Sequence, residues 1–350
     1  MVVVGLGPTA GDIIPNIMPH ASKVFVSHRR GVPIFKRWRD GTPADLGITR
    51  HRRRIIAALS YFFPSAFRKL VDTVVPLVMK KTWGELDPAW RLTPFPSVTL
   101  RLPSSAEEVM PYLKDGSLSS LGGLQRFVGP RAIEFDDGTV VEDVDAVICC
   151  TGYAADFSIT PFVEQSRPAN YNGTPIVRLY KNLFPPEYAD SVCIATYSAF
   201  GRNNGFSIAD VIGMAISNIW RGAHSLPSKT EMEADIDTHQ AWVASYWRLD
   251  ERVDVSMVRQ WEWQNFLHEA AGTGMENLGW GWKGWLFWIK DPKLSYLMNN
   301  GVDTAHTYRF FETGKRKTWP GARDAILRVN AAVKIFPLKN TSFKEHGYST

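Results

Sequence analysis

The sequence is short of cysteine, of long apolar runs and of repeats, and each shortage removes a class of protein. Three cysteines occur in 350 residues, and Cys149, Cys150 and Cys193 form no CxxC or Cys/His spacing. A structural zinc site and a disulfide framework are therefore not expected. The cysteines read as small buried hydrophobes in a reducing compartment. No apolar stretch reaches the roughly 20 residues of a membrane-spanning helix. The longest candidate, from Ile55, is broken by Pro64, Arg68, Lys69 and Asp72. The start, Met1 to Gly5, has no basic segment, and its apolar run is cut by Gly5, Gly7 and Pro8, so it is not read as a secretory leader. The expected location is intracellular, cytoplasmic or peripheral on an internal membrane.

Charge of either sign is also modest. Hydrophobic residues make up 45% and charged residues 21%, which excludes a disordered chain. The net charge of +5 is unevenly spread, because Arg29 to Arg54 holds nine Lys/Arg against two Asp. A local cluster of this kind points to a specific anion, a phosphate or a lipid headgroup, and not to a protein that coats nucleic acid. Thirteen Trp and nineteen Phe suit a large aromatic core or an apolar surface. Arg50-His-Arg-Arg-Arg54 before an apolar helix suggests peripheral membrane contact, with a packed helix and solvated basic end as the plainer reading. Trp280, Trp282, Trp285 and Trp288 fit an interfacial patch, a substrate wall or simple core packing. The isolated histidines are given no role.

Along the chain, Val2–Val4 reads as a buried strand, residues 5–11 as a glycine turn, and 11–18 as a helix cut short by Pro15 and Pro19. Lys23–Ser27 is a second strand. This unit opens a doubly wound parallel sheet of Rossmann type. A helical insertion at about 32–105 follows, with helices over Ile55–Phe63 and Phe67–Lys80 separated by Pro64 and a looped, proline-rich exit from Pro88. The sheet is expected to resume at Leu124–Val128. Ala132–Phe135 and Thr139–Val141 flank an Asp137-Gly138 hairpin, and Val144–Cys150 and Ser191–Thr196 read as strands. A helix from Ser207 to Trp220 puts Ile208, Val211, Ile212, Ala215 and Ile219 on one face. Ser228 to Glu231 is a capping box, and Asp291-Pro292 is an N-cap with proline first in the helix. The expected division is 1–150, an NADP(H)-binding domain with the insertion; 151–225, part of a second FAD/NAD(P)-binding-type domain; and 226–350, a helical, aromatic-rich region.

The main chemical signal is Gly5-Leu-Gly7-Pro8-Thr9-Ala10-Gly11 after the first strand. Gly5 permits the tight turn, Gly7 lets a pyrophosphate approach the backbone, and Ala10 takes the third small position, where helix and strand pack. The helix start then offers unpaired N–H groups to phosphate. The second strand ends in Ser27-His28-Arg29-Arg30-Gly31, with no acidic residue to hold a ribose hydroxyl. A hydroxyl and two planar guanidiniums, Ser27 with Arg29 and Arg30, suit a 2′-phosphate, so NADP(H) is preferred over NAD or FAD. The bland alternative is a solvated basic turn.

These segments resemble the flavin-containing monooxygenases, the dimethylaniline monooxygenase-like proteins. GLGPTAGDI with KVFVSHRRG resembles the family's NADPH glycine motif. FDDGTVVEDVDAVICCTGY at Phe135–Tyr153 resembles its strand pair ending in an ATGY-type sequence, with Cys150 where alanine is usual. LYKNLFPPEYADSVCIAT at Leu179–Thr196, then KDPKLSYLMNNG and YRFFETGKRKTWPGARDAI at Lys290–Ile326, complete the likeness. The family's earlier glycine motif for FAD and its FxGxxxHxxxY-type fingerprint are not found, so the chain reads as N-terminally truncated relative to the family.

The resemblance implies a flavoprotein monooxygenase. NADPH reduces FAD, the reduced flavin reacts with O2, and oxygen passes to a soft nitrogen or sulfur nucleophile or to a ketone. It implies that the chain returns towards the flavin at Thr151-Gly152-Tyr153, and that 196–204 and the start of the helix at Ser207 face the flavin ring. A small-molecule substrate is the expected partner. No catalytic residue is assigned, because the cofactors carry the chemistry. The alternative is a catalytically incomplete NADP(H)-binding remnant or partner-binding protein without a cradle for FAD. The sequence leaves the oligomeric state open.

Overall fold

The computed structural model describes residues 1–39, 41–195 and 205–333. In chain order the elements are β1 (Val2–Val4), α1 (Pro8–Ile17), β2 (Val24–Ser27), the two-residue strands β3 (Trp38–Arg39) and β4 (Thr42–Pro43), α2 (Arg50–Phe62), α3 (Pro64–Trp83) and α4 (Met110–Lys114). Then come β5 (Leu118–Leu121), β6 (Leu124–Gly129), β7 (Ala132–Phe135), β8 (Val140–Val141), β9 (Val147–Cys149), β10 (Gln165–Ser166) and β11 (Ile176–Val177). The helices α5 (Gly205–Trp220), α6 (Lys229–Trp247), α7 (Gln260–Ala271), α8 (Trp282–Lys290), α9 (Pro292–Asn300) and α10 (Ala322–Ala332) complete the described chain. They fall into two compact units, residues 1–37 with 65–156, and 38–64 with those from Phe157 onward.

The first unit is built on a parallel sheet in the order β5-β2-β1-β9. Strand alternation divides its side chains between two cores. Val3, Val24 and Val26 pack with Ala10 and Ile14 of α1, Val75 and Met79 of α3, and Met110 and Leu113 of α4. Val2 and Phe25 face the other way, onto Ile133 and Phe135 of the antiparallel sheet β6-β7-β8. One face of the parallel sheet thus carries helices and the other a hairpin sheet. Asp137-Gly138 makes the hairpin turn, with Gly138 at φ +81°.

Four expectations change here. The segment 124–129 pairs only with β7 and belongs to the antiparallel sheet. The parallel sheet resumes earlier, at Leu118–Leu121, whose two central serines hide it from an apolar pattern. The helix α1 starts at Pro8 and passes through Pro15 into a 3₁₀ turn at Met18–His20. Burial of Ala10, Gly11 and Ile14 outweighs the hydrogen bond that Pro15 removes. Finally, Ser191–Ala195 form no strand, and Thr196 lies outside the described residues. A strand needs a neighbour to complete its ladder, and Ile194 donates instead to the Leu183 carbonyl at 2.8 Å.

The second unit is helical and aromatic. Val211, Ile212, Ala215 and Ile219 of α5 are buried with Met232 and Ile236 of α6 and Trp263, Leu267 and Ala270 of α7. The capping box is present in full: the Ser228 hydroxyl accepts from Glu231 N–H, and the Glu231 carboxylate accepts from Ser228 N–H. Asp291 caps α9 by accepting from Leu294 N–H at 3.0 Å. No helix among the described residues is long and apolar enough to cross a membrane.

Candidate functional site

All four parallel strands end on one edge of the first unit. That edge gathers the turn after Val4, the basic turn after Ser27, Gly122-Gly123 after Leu121, and Cys150-Thr151-Gly152 after Cys149. In open α/β sheets, ligands bind outside the carboxyl ends of the strands. Gly5 has φ +105°, and a Cβ there would lie 2.4 Å from the Cys150 carbonyl oxygen. This position admits only glycine, and it seats β1 against the end of β9. At Gly7 an added Cβ meets nothing within 4 Å. Pro8 and Thr9 are exposed, so the outer face of the turn is open to a ligand. Ala10 is fully buried, while a Cβ on Gly11 would lie 2.7 Å from Ala106. Both positions are therefore held small by packing.

Gly7 caps α1 without a side-chain hydrogen bond, and no acidic residue lies in its first turn. Gly11 N–H donates to the Gly7 carbonyl at 3.1 Å, so Thr9 and Ala10 N–H precede the ladder and have no acceptor within the helix. The helix dipole adds positive potential at the same point. This turn fits the pyrophosphate of a dinucleotide.

At the end of β2 the geometry reassigns one residue. Ser27 is fully buried, and its hydroxyl donates to the Gly122 carbonyl at 2.6 Å. Its only proton is thus committed to joining β2 to the end of β5, and Ser27 positions the edge instead of contacting a phosphate. Arg29 is exposed, with its stem lying over Gly123, where an added Cβ would be 2.4 Å from Arg29 Cγ and 2.8 Å from Asp136 Oδ2. Arg30 is half-buried. The residue missed from sequence is His28, buried just before them in the chain. Its Nδ1 lies 2.8 Å from the Arg30 carbonyl and its Nε2 2.8 Å from Ser120 Oγ. Burial holds its pKa below the usual value, so the ring is neutral. A carbonyl only accepts, so Nδ1 carries the proton and Nε2 accepts from Ser120. His28 thereby fixes the backbone that presents Arg29 and Arg30. Arg91, from the loop after α3, adds a further cation: its charge bears on His28 and it pairs with Asp137. Nothing in the sequence spacing links residue 91 to residue 28.

Thr151, Gly152 and Tyr153 are exposed just beyond β9, with Gly152 at φ +86°. Cys149 is exposed and only Cys150 is buried, which corrects the reading of all three cysteines as buried. The expectation for 196–204 lies outside the described residues.

The second unit overturns the solvated basic helix end. The helix α2 begins at Arg50, capped by Thr49, which accepts from Arg52 N–H at 3.3 Å. Basic residues at a helix start oppose its dipole, so this start depends on tertiary partners. Arg50 is buried and donates to the Leu278 carbonyl at 3.0 Å, Asn299 Oδ1 at 2.8 Å and the Met275 carbonyl at 3.1 Å. Arg53 pairs with Asp303, and Arg54 lies 4.8 Å from the Trp261 ring centre. Arg50 and Arg53 are thus withdrawn from any lipid headgroup. In α8, by contrast, Trp282, Trp285 and Trp288 are exposed, and Phe287 packs inward 4.9 Å from Phe311.

Two histidines of this unit, His239 and His268, are half-buried without a counter-charge strong enough to keep them protonated. Burial, then the charges of Arg50, Arg54 and Arg53, push His268 down to about 3. Burial, then Arg259 and Lys181 against an opposing Asp235, push His239 down to about 4. Between pH 6.5 and these values the unfolded chain binds protons that the native chain does not. Stability is therefore complete above pH 6.5 and falls as the solution is acidified, by up to about 1.4 kcal/mol per pH unit for each histidine. Urea midpoints measured from pH 7 to 4.5 should fall more steeply for this chain than for His239→Asn/His268→Asn. Equal slopes would remove the assignment.

Among curated proteins, the chain is 33% identical over 341 residues to monooxygenase aurF of Gibberella zeae, matching 95% of this chain and 64% of that protein. It is 29% identical over 359 residues to dimethylaniline monooxygenase [N-oxide-forming] 2 of Rattus norvegicus, matching 98% of this chain and 60% of that one. The chain thus spans under two thirds of the length of these relatives. A solved structure of a cyclohexanone monooxygenase variant from Rhodococcus sp. Phi1 bound to NADP+ superposes with a TM-score of 0.44 at 14% identity, covering 79% of this chain and 65% of that one. The pattern of the flavin-binding monooxygenase-like proteins matches residues 1–346, and the chain belongs to that family, FMO-like.

Proposed function

We propose that the chain is the NADP(H)-binding part of a flavin-dependent monooxygenase, acting with FAD and O2 on soft nitrogen or sulfur nucleophiles or on ketones. The observation that carries this reading is the single strand edge on which the open Gly7 turn and the Arg29–Arg30 turn are both presented. When bound, the nicotinamide and flavin supply the electron transfer and the activation of oxygen. The chain's own residues do the binding and orientation. Thr9 and Ala10 N–H and the start of α1 receive the pyrophosphate. Arg29 and Arg30, braced by neutral His28, receive the 2′-phosphate, and Ser27 keeps β2 and β5 in register beneath them. Thr151 and Gly152 are assigned to the turn that leads towards the flavin, and residues 151–225 to the flavin-side domain.

The test is Arg29→Glu/Arg30→Glu. Charge-assisted hydrogen bonds contribute about 1.5–3 kcal/mol each, so NADPH affinity should fall about 100-fold or more while NADH affinity changes little. Fluorescence titration with both coenzymes reads the difference, and an equal loss for both would sink the phosphate assignment.

A second reading is nucleotide binding without turnover, which needs only the parallel sheet and the turns on its edge. The flavin spectrum of the purified chain after incubation with FAD separates the two. A retained flavin that NADPH bleaches supports the enzyme, and a colourless protein that still binds NADPH supports the second reading.

A further inference from the structure

The second unit holds a cleft of about 520 Å³ to which the monooxygenase reading assigns no contact, although its floor on α5 falls in the range given to the flavin-side domain. Its floor is one face of α5, with Ala209, Asp210, Gly213 and Ser217, and Arg221, Arg309, Arg316 and Lys317 stand around it. Four cations thus share the cleft with one carboxylate. Asp210 is engaged, because Arg309 holds both of its oxygens. That leaves Arg221, Arg316 and Lys317 without a carboxylate partner in the cleft wall.

Two of these cations, Arg221 and Arg316, are held in place before any ligand arrives. Asn218 is buried and donates to the Ala270 carbonyl at 2.7 Å. Its Oδ1 accepts from Arg221 Nε at 3.1 Å and Nη2 at 2.7 Å. Arg316 donates to the Tyr308 carbonyl and, at 3.3 Å, to the Lys317 carbonyl. Its Nε is buried with no acceptor among the described residues. Burial and then the charge of Arg309 lower its pKa, with Glu312 and Asp210 opposing. A buried guanidinium N–H without an acceptor is costly, and an anion in the cleft would satisfy it and relieve the repulsion.

We propose that this cleft binds the phosphate group of a small organic phosphate ester. Planar guanidiniums match phosphate oxygens in pairs. The small residues Ala209 and Gly213, with Met214, leave room for the organic part. The site lies wholly in the second unit and is independent of the nucleotide edge.

The test titrates the purified full chain calorimetrically with inorganic phosphate, with glycerol 3-phosphate, and with vesicles containing phosphatidic acid. Saturable binding of the soluble phosphates, weakened tenfold or more in Arg221→Met/Arg316→Met, is the expected result. Binding confined to the vesicles and lost in the same variant would also support the site and assign the ester to a lipid headgroup. Lys317→Met, whose side chain is exposed, should weaken binding about threefold without disturbing the fold. No saturable binding to any probe overturns the proposal. So does binding unchanged in both the double variant and Lys317→Met, or binding abolished by Arg29→Glu/Arg30→Glu.

Discussion

Gly5→Ala is expected to lose about 4 kcal/mol of stability, whereas Gly7→Ala, two residues on, should fold normally and bind NADP(H) poorly. At Gly5 a side chain would take a φ of +105° and place its Cβ 2.4 Å from the Cys150 carbonyl oxygen. The backbone strain costs about 1–3 kcal/mol and the overpacking about 1–3 kcal/mol more. The obstacle is main chain at the end of β9, so no rotamer change relieves it. A loss of about 4 kcal/mol is a large share of the 5–15 kcal/mol that holds a typical domain. At Gly7 the added methyl meets nothing within 4 Å of protein. It occupies instead the space through which a pyrophosphate would reach the backbone. Denaturation midpoints on both variants and an NADPH titration on Gly7→Ala give three numbers, of which the Gly5→Ala midpoint and the Gly7→Ala affinity should move. A normal midpoint for Gly5→Ala would discard the packing argument, and normal NADPH affinity for Gly7→Ala would discard the close-approach argument.

Arg50→Ala should lower the stability of the second unit by about 3–5 kcal/mol, because three acceptors lose their donor at about 1–3 kcal/mol each, offset in part by removal of a buried charge. The Leu278 and Met275 carbonyls and Asn299 Oδ1 would each lose their donor. Burial and then the neighbouring Arg54 hold the Arg50 pKa down to about 9, so the charge is expensive to keep and its three hydrogen bonds are what offset it. At about 2–4 °C per kcal/mol for a domain of this size, the thermal midpoint should fall by about 10 °C. Arg50→Lys keeps the charge but not the planar fork, and should recover only part of the loss. An unchanged midpoint for Arg50→Ala would show that the three acceptors find other partners.

What the sequence disclosed follows the length scale of each interaction. Val2–Val4, the glycine turn and the second strand were legible because they depend on three to five adjacent residues. The capping box at Ser228 and the proline-led α9 were legible for the same reason. Leu118–Leu121 escaped because Ser119 and Ser120 break its apolar run, although Ser120 is what His28 needs as a partner. The roles of Ser27, His28 and Arg91 rest on contacts with residues far along the chain, and no spacing rule reports those. The run from Arg50 to Arg54 misled in a different way. Its local chemistry does resemble a surface motif, and only carbonyls more than 200 positions away turn Arg50 inward.

That inward turn bears on how the chain can be divided. Residues 38–64 belong to the second unit but lie between two pieces of the first. A gene fragment ending at Asp156 would carry α2 without α7 and α9, the helices it packs on, and would expose Ala57 and the Arg50 guanidinium to water. The complementary fragment from Phe157 would leave the carbonyls of Met275 and Leu278 without their donor. Neither half is a self-sufficient truncation. A clean separation requires cutting on both sides of the 38–64 segment and grafting it onto the later part of the chain, while Arg37 is spliced to Ser65.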